Sequence, residues 1–238
     1  MSQSFEMQIL LPVYNEGASI EGTVREIYNK YTPRIRMGFI ICEDGSVDNT
    51  KDVLRRLAAQ MPMNLIMSDE RKGYSRAVKD GMKALEAPYL LCLDSDGQCD
   101  PDDLWKMWDG RGSWDLCIGW RTNRADTRLR RYLSRFFYVF YQIMFRVPVH
   151  DPSCPFILAK KDIIHRLVDE LGEMKQGFWW EFVARVHRRG FSIKEFPVNH
   201  RLRSAGQTQV YKFRKMPGIF VHHFIALFKI WSQTRGRA

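Results

Sequence analysis

The sequence lacks a long apolar run. No stretch of its 238 residues approaches the roughly 20 consecutive apolar residues that a bilayer-spanning helix needs. Its first residues, MSQSFEMQ, also lack the basic segment followed by an apolar one that marks a secretory signal peptide. We therefore expect a protein without a signal peptide and without a segment that plainly crosses a membrane.

The cysteines form no pattern typical of a disulfide framework or a metal site. There are five, an odd number, and none is paired at the close spacing that ligates zinc. Three of them, Cys42, Cys92 and Cys117, lie inside apolar, strand-like runs, where cysteine behaves as a small core residue. We expect reduced thiols in a protein that faces the cytosol.

Acidic residues are scarce in the second half. Residues 1–110 hold 13 Lys or Arg and 18 Asp or Glu, a balance of −5, whereas residues 111–238 hold 24 and 9, a balance of +15. This asymmetry predicts that the second half contacts something anionic. Nucleic acid, phosphorylated substrates and an acidic membrane surface are all candidates on charge alone.

Short apolar runs alternate with helical patterns along the first half. The runs that predict strands are 7–13, 38–42, 64–67, 89–93 and 115–119. Strand, polar turn and helix alternate four times in the first 110 residues, which is typical of βαβ units and of an α/β fold with a mainly parallel open sheet. The carboxyl ends of the strands then meet at one edge, where Asp44 approaches Asp94 and Asp96.

The fourth predicted strand ends in two carboxylates and an amide, Asp94, Asp96 and Gln98. On an extended chain, residues at i, i+2 and i+4 point to the same side. Two carboxylates and an amide oxygen suit Mg²⁺ or Mn²⁺, with substrate phosphates as the remaining ligands. The alternative interpretation is an Asp-rich turn that leads to a helix N-cap, which fits Asp100 and Asp102 better.

Two aromatic-rich helices are predicted in the basic second half. Six arginines between positions 121 and 135 precede the apolar residues 136–145, and a second apolar stretch covers 216–231. Such helices either pack on each other or lie at a membrane surface. Their flanking arginines favour the membrane surface. The strand predicted at 192–199 contains Pro197, which cannot donate to a ladder, so this is an edge strand.

Several short motifs occur in a fixed order: PVYNE at 12–16, EDGSVDNT at 43–50, RKG at 71–73, DSDGQ at 94–98, GWR at 119–121, LRR at 129–131 and HRLRSAGQT at 200–208. This set resembles the family 2 nucleotide-sugar glycosyltransferases with the GT-A fold. Within them, it is most similar to dolichyl- or polyprenyl-phosphate mannose and glucose synthases. The resemblance covers about residues 7–211. It implies a GT-A domain, which we place at 1–215. Together with the two aromatic-rich helices, this predicts an interface helix at 128–147 within that domain and a C-terminal amphipathic helix at 216–238.

The resemblance also implies roles for individual residues. Those expected to bind the nucleotide sugar are Pro12, Tyr14, Glu16, Asp44, Arg71, Asp94, Arg203 and Thr208. Those expected to hold Mg²⁺ or Mn²⁺, in an Asp-x-Asp arrangement, are Asp94, Asp96 and Gln98. The catalytic set is Asp96 together with Arg121 and Arg131, whose guanidinium groups would receive the phosphate of the lipid acceptor.

Phosphate as an acceptor removes the need for a general base. A phosphate monoester has a second pKa of about 6 and is already largely ionised at neutral pH, unlike a sugar hydroxyl. The expected reaction is a single in-line displacement with inversion at the anomeric carbon. Two motifs depart from the resemblance: Gln209 follows Thr208 where a basic residue is usual, and Cys154-Pro155-Phe156 replaces the usual Cys-Gly-Phe.

The expected function is thus metal-dependent hexose transfer from a nucleotide sugar, GDP-mannose as the first guess, to a dolichyl or polyprenyl phosphate. The enzyme would be peripheral on the cytoplasmic face of a membrane, attached directly or through a separate membrane subunit, with no nucleic-acid partner. One alternative is a transferase with a hydroxyl acceptor, whose base would be Asp151 or Glu181. Another is a non-catalytic nucleotide- or RNA-binding module, which the intact Asp94, Asp96 and Gln98 set disfavours.

Overall fold

The computed structural model describes residues 4–122, 128–199, 201 and 216–235. The strands of this part are β1 Met7–Val13, β2 Met37–Glu43, β3 Met63–Met67, β4 Tyr89–Cys92, β5 Leu116–Arg121, β6 Ile157–Lys160 and β7 Ile193–Val198. Its α-helices are α1 Ile20–Tyr31, α2 Thr50–Ala58, α3 Tyr74–Lys83, α4 Leu104–Asp109, α5 Arg128–Phe145, α6 Lys161–Leu167, α7 Phe178–Arg188 and α8 Met216–Thr234. Two short 3-10 turns, Pro101–Asp103 and Val168–Glu170, precede α4 and follow α6.

The strands form one sheet in the order β3-β2-β1-β4-β6-β5-β7. All neighbours are parallel except β6, which runs antiparallel to both β4 and β5. Every residue of β1 and β2 is buried, because helices cover both faces of a parallel sheet. The predicted α/β fold with a mainly parallel open sheet is confirmed, and β7 is the edge strand that Pro197 predicts.

The sheet order brings the first polar turns together. β1 lies between β2 and β4, so the loops after these three strands meet at one edge. The Asn15 amide N–H donates to the Ser46 hydroxyl at 2.9 Å, and the Val47 N–H donates to Asn15 Oδ1 at 3.0 Å. Gly45 has φ +72°, and a Cβ at this position would lie 2.5 Å from the Glu70 carbonyl carbon. Only glycine fits where these loops approach one another so closely.

The extended geometry predicted for residues 94–98 does not occur. β4 ends at Cys92, and the chain turns at Ser95 and Asp96. Asp96 Oδ1 accepts a hydrogen bond from the Gln98 N–H at 3.0 Å, and Gly97 has φ +73°. An aspartate that accepts from the backbone two residues ahead competes with strand geometry, so a turn and not strand alternation sets the directions of the three side chains.

Helices α5 and α8 pack on each other and on α7. Phe224 of α8 contacts Phe137 and Phe140 of α5, with ring centroids 5.9 and 4.6 Å apart. The opposite sides remain exposed, at 61% for Phe136, 51% for Val139 and 71% for Ile143 on α5 and at 61% for Val221, 63% for Ile225 and 63% for Phe228 on α8. No described helix combines the length and the apolar character needed to cross a bilayer.

Candidate active site

Asp94 is connected to the start of α3 and to α7 through one tyrosine. The Tyr74 hydroxyl donates to Asp94 Oδ1 at 3.1 Å and accepts from the Trp179 indole N–H at 2.8 Å. Burial of this hydroxyl, followed by the negative charge of Asp94, raises the pKa of Tyr74 well above its usual value. The phenol therefore stays protonated and donates to the carboxylate, which fixes the position of one Asp94 oxygen.

Gln98 is oriented by the chain that follows β7. Its side-chain nitrogen Nε2 donates to the Arg201 carbonyl at 3.2 Å, and the Arg201 N–H donates to the Gln98 carbonyl at 2.8 Å. The Arg201 guanidinium in turn contacts Asp100 and Glu26, each at 2.7 Å. Since the amide nitrogen is used in this way, Oε1 is the Gln98 atom that remains for a cation.

The residues at this turn suit a hard divalent ion. Asp94, Asp96 and Gln98 are partly exposed at the edge of the sheet and do not point into the hydrophobic core. The described chain has no group of three or more His, Cys, Asp or Glu that could hold a metal ion by itself. Two carboxylates and an amide oxygen are the incomplete set that Mg²⁺ or Mn²⁺ uses when substrate phosphates supply further ligands. The donor set therefore fits the predicted ion.

Tyr14, Asp44 and Arg71 come together beside that turn. Asp44 is buried, and its carboxylate accepts from the backbone N–H groups of Lys72 at 2.7 Å and Gly73 at 2.9 Å. Arg71 lies 4.0 Å from Asp44, and its guanidinium stacks 4.0 Å above the Tyr14 ring. Asp44 thus holds the 71–73 loop beside Tyr14, so an aromatic ring, a guanidinium group and a buried carboxylate lie together; we call these three residues the Tyr14 cluster.

Pro12 and Glu16 lie on either side of Tyr14 along the chain. Pro12 is buried within β1, and Glu16 is 8% exposed, with its carboxylate accepting from the Ser19 hydroxyl at 2.6 Å. Ser19 makes no side-chain hydrogen bond that caps α1. The Glu16 N–H donates to the Thr50 hydroxyl at 2.9 Å. Both residues therefore shape the loop that carries Tyr14.

Arg121, at the end of β5, is paired with Asp151. Its Nε and Nη2 donate to the two Asp151 carboxylate oxygens at 2.7 and 3.0 Å, and Nη2 also donates to the Ser153 hydroxyl at 2.7 Å. The two side chains are only 12% and 8% exposed. Burial opposes the guanidinium charge, but the hydrogen bond and charge of Asp151, with a smaller contribution from Asp94, raise the pKa of Arg121. Arg121 stays charged at any physiological pH.

A pocket of about 210 Å³ opens beside this pair; we call it the α5 pocket. Its walls come from the end of β5, the start of α5 and the loop before β6, and its lining includes Trp120, Arg121, Ser134, Arg135, Tyr138, His150, Asp151, Ser153 and Trp180. His150 stacks on Trp120 at 4.7 Å between ring centroids, and its Nδ1 lies 2.7 Å from Glu195 Oε2. Sequence reasoning missed this arrangement, because Glu195 is 45 residues away along the chain.

Asp151 and Glu181 were named as possible bases for a hydroxyl acceptor, but both carboxylates are engaged in other contacts. Glu181 is fully buried and accepts from the N–H groups of Gly172 and Met174 and from Arg185 Nε. Its carboxylate therefore faces the interior. Asp151 is engaged by Arg121. The Arg131 side chain, Arg203 and Thr208, which complete the predicted set, lie outside the described residues.

A second and larger opening, of about 840 Å³, lies between the start of α3 and the segment before α7; we call it the basic cleft. Its polar lining includes Arg71, Lys72, Tyr74, Ser75, Arg76, Lys79, Ser153, Lys175 and Gln176. Ser153 and Trp180 line both openings. The basic cleft and the α5 pocket are therefore neighbours.

Curated relatives share much of this chain. AglD, a glycosyltransferase of Haloferax volcanii, is 29% identical over 225 residues, which are 90% of this chain but 36% of AglD. Dodecaprenyl-phosphate galacturonate synthase of Rhizobium johnstonii is 28% identical, over 86% of this chain and 61% of that protein. Dolichyl-phosphate hexose transferase of H. volcanii is 26% identical, over 87% and 88%. The chain thus spans only part of the first two.

Solved structures share the architecture at low sequence identity. Glucosyl-3-phosphoglycerate synthase of Mycobacterium tuberculosis, in complex with Mn²⁺, UDP and glucosyl-3-phosphoglycerate, has a TM-score of 0.71 at 15% identity and covers 96% of this chain and 80% of its own. The mannosyltransferase PcManGT of Pyrobaculum calidifontis, in complex with GDP-Man and Mn²⁺, has a TM-score of 0.64 at 16% identity, over 96% and 64%. The model of glycosyl transferase family 2 matches residues 8–168, well over half of the 238. The predicted family is confirmed: this chain has the GT-A fold and belongs to glycosyl transferase family 2.

Proposed function

We propose that this chain is a metal-dependent, inverting glycosyltransferase that moves a hexose from a nucleotide sugar to a polyprenyl phosphate at a membrane surface. One observation carries the proposal: the Tyr14 cluster, the Asp94–Gln98 turn and the α5 pocket lie in succession along one edge of the sheet. In an open α/β sheet, ligands bind outside the carboxyl ends of the strands. In the proposed complex, these three places would hold, in the same order, the nucleotide base, the diphosphate and the acceptor phosphate.

The donor side needs a pocket for the base and an electrophile for the diphosphate. The Tyr14 ring and the Arg71 guanidinium offer a stacking surface to a base, and Asp44 keeps both in place. Asp94, Asp96 and Gln98 would hold Mg²⁺ or Mn²⁺ there. When bound, such an ion stabilises the charge that develops on a departing diphosphate. Tyr74 holds Asp94, and Arg201 holds Gln98, so both ligands are positioned before the substrate arrives.

The acceptor side needs cations close to the sugar. Arg121 and Arg135 line the α5 pocket, and Arg131 lies on the same helix as Arg135. Guanidinium groups bind phosphate oxygens through pairs of hydrogen bonds, so Arg131 and Arg135 can orient a phosphate for in-line attack. Arg121, whose Nε and Nη2 are used by Asp151 and Ser153, adds its positive charge. Because that phosphate is already ionised, the reaction needs no general base. The pairing of Asp151 with Arg121 and the burial of Glu181 therefore do not hinder it. A hydroxyl acceptor could use neither of the two bases named for it.

A transfer assay tests the proposal. We expect the full chain, with Mn²⁺ and a labelled donor such as GDP-mannose or UDP-glucose, to transfer sugar to polyprenyl phosphate in detergent but not to free polyprenol. Arg131→Ala should lower kcat/KM for the lipid about 100-fold, as expected for the loss of a charge-assisted phosphate contact. Arg55→Ala, on the exposed side of α2, is the control and should change nothing.

Two results would contradict the proposal. Transfer to polyprenol or to a glycan hydroxyl, unaffected by Arg131→Ala, would identify a hydroxyl-acceptor enzyme. Nucleotide binding without transfer to any acceptor would identify a non-catalytic module.

The outward sides of α5 and α8 support attachment to a membrane surface. Phe136, Val139 and Ile143 follow one another at helical spacing, as do Val221, Ile225 and Phe228, and the contact of Phe136 with Phe224 joins the two rows into one apolar surface. Exposed cations flank it at Arg135, Arg146, Lys229 and Arg235. An apolar surface rimmed by basic side chains suits the interface of a bilayer with anionic lipids. The α5 pocket begins at Ser134, on the same helix, so a lipid phosphate can reach it from this surface.

Vesicle binding tests this attachment. The double variant Ile143→Asp and Ile225→Asp should reduce binding to vesicles that contain phosphatidylglycerol about 10-fold or more, because two apolar contacts are replaced by anions. Both side chains are exposed, so thermal stability should change little. Val47→Asp, which changes an equally apolar residue that is 87% exposed in the loop after β2, is the matched control and should bind as the unmodified chain does. Equal binding by all three proteins would rule the attachment out.

A further inference from the structure

The charged side chains that line the basic cleft are all positive, and the proposed function does not yet explain this. Five cationic side chains line it, from Arg71, Lys72, Arg76, Lys79 and Lys175, and no Asp or Glu belongs to its lining. A cleft with charges of one sign focuses the electrostatic potential and concentrates ligands of the opposite sign. The cleft is therefore suited to an anionic group.

Two of the five cationic side chains have neither a carboxylate nor another hydrogen-bond partner in the described chain. Arg71 lies 4.0 Å from Asp44, Lys72 lies 3.5 Å from Asp80, and the Lys79 ammonium donates to two backbone carbonyls. Arg76 and Lys175, in contrast, have no acidic partner within 4.0 Å in the described chain, and both are exposed on opposite walls of the cleft. Arg76 lies in the first turn of α3, and Lys175 lies in the segment before α7. These two side chains can converge on one anion.

The position of the cleft indicates which substrate it holds. Tyr74 forms part of its wall and donates directly to Asp94, so the cleft begins next to the proposed diphosphate site. At Ser153 and Trp180 it meets the α5 pocket, where the acceptor phosphate is proposed to lie. A group between the diphosphate and the acceptor is the sugar that is being transferred. The half-buried Trp180 gives that sugar an apolar wall.

We propose that the basic cleft binds the transferred sugar and that Arg76 and Lys175 recognise a carboxylate on it. The donor is then a nucleotide-activated hexuronic acid rather than a neutral hexose. This inference rests on the proposed function and replaces only the GDP-mannose guess. A neutral sugar leaves both cations without a partner, whereas a carboxylate pairs with an arginine fork through two hydrogen bonds.

Donor binding without an acceptor tests the cleft independently of transfer. In the presence of Mn²⁺, each nucleotide uronic acid is compared with its neutral parent on the same base: UDP-glucuronate with UDP-glucose, UDP-galacturonate with UDP-galactose, and GDP-mannuronate with GDP-mannose. At least one acid should bind 10-fold or more tightly than its parent, which is the range of a charge-assisted hydrogen bond pair. Equal or weaker binding of every acid would overturn the inference.

Variants then assign the preference to the two cations. Arg76→Ala with Lys175→Ala should remove the preference for the acid and leave the affinity for the neutral parent unchanged. Lys83→Ala, on the same α3 helix but outside the cleft, is the control and should preserve the preference. If the double variant instead raised KM for polyprenyl phosphate without changing donor affinity, the cleft would serve the acceptor, and the inference would be wrong.

Transfer assays distinguish this inference from the function on which it rests. If the chain transfers neutral and acidic sugars to polyprenyl phosphate equally well, the proposed function stands and the preference for an acid is refuted. If the acid binds tightly but no sugar reaches polyprenyl phosphate from any donor, the cleft is confirmed and the lipid acceptor is refuted.

Discussion

Asp96→Asn is expected to lower kcat/KM by about 10²- to 10³-fold, the usual loss when one group that stabilises charge in the transition state is removed. The amide oxygen of asparagine can still accept the hydrogen bond that Asp96 takes from the Gln98 N–H at 3.0 Å. The turn is therefore kept, and the main change is the loss of one negative charge toward the ion. Steady-state kinetics over a range of Mn²⁺ concentrations should show that the variant needs more metal for half-maximal activity.

Asp102→Asn is the matched control for this experiment. Asp102 also follows β4, but its side chain is 59% exposed and pairs with Lys30 on the surface. Its loss should leave turnover and metal requirement within about twofold, as is usual for an exposed ion pair. Full activity of Asp96→Asn, or activity of the unmodified chain in excess chelator, would refute the metal site.

Arg121→Met is expected to lower the free energy of unfolding by about 3 kcal/mol and to abolish transfer. The change removes two hydrogen bonds to the buried Asp151 carboxylate and one to Ser153. It also leaves a largely buried negative charge without its opposite charge. Urea denaturation measures the stability. Arg55→Met, which breaks an ion pair with both partners more than 60% exposed, is the control and should cost less than about 1 kcal/mol.

A double variant separates the structural role of Arg121 from its role toward the acceptor. Arg121→Met with Asp151→Asn removes both charges and should recover most of the lost stability, because replacement of a whole buried pair is far less costly than removal of one partner. Transfer should stay at least 100-fold below the unmodified chain, since the guanidinium for the phosphate is still missing. Recovery of activity together with stability would show that Arg121 only supports the fold.

The sequence predicted well the strands that are buried on both faces, because such strands appear as continuous apolar runs. β1 was predicted at 7–13 and occupies Met7–Val13; β2 was predicted at 38–42 and extends one residue further at each end. The edge strand was predicted at 192–199, and both of its predicted ends lie within one residue of the ends of β7. The geometry of the turn at 94–98 was not predicted. The hydrogen bond that the Asp96 side chain accepts and the positive φ of Gly97 produce a turn where the sequence pattern predicts an extended strand.

The same distinction applies to the site: residues that depend on their sequence neighbours were predictable, and their distant partners were not. Polar residues directly after apolar runs predicted that Asp44, Asp94 and Asp96 lie at the carboxyl edge of the sheet, because the carboxyl ends of parallel strands lie on one side. The partners of these residues were not predictable. Tyr74 reaches Asp94 across 20 residues, and Asp151 reaches Arg121 across 30. Such pairs depend on which strands become neighbours.

The sequence by itself determined the α/β class, the family and the acidic turn after β4, since each is written in consecutive residues. Only the tertiary structure decided that β6 enters the sheet antiparallel between β4 and β5. That insertion brings the loop before β6, with Asp151 and Ser153, to Arg121 at the end of β5 and so builds the α5 pocket. The physical reason is that periodicity encodes which face of an element is buried, whereas the choice of neighbour depends on the packing of the whole sheet.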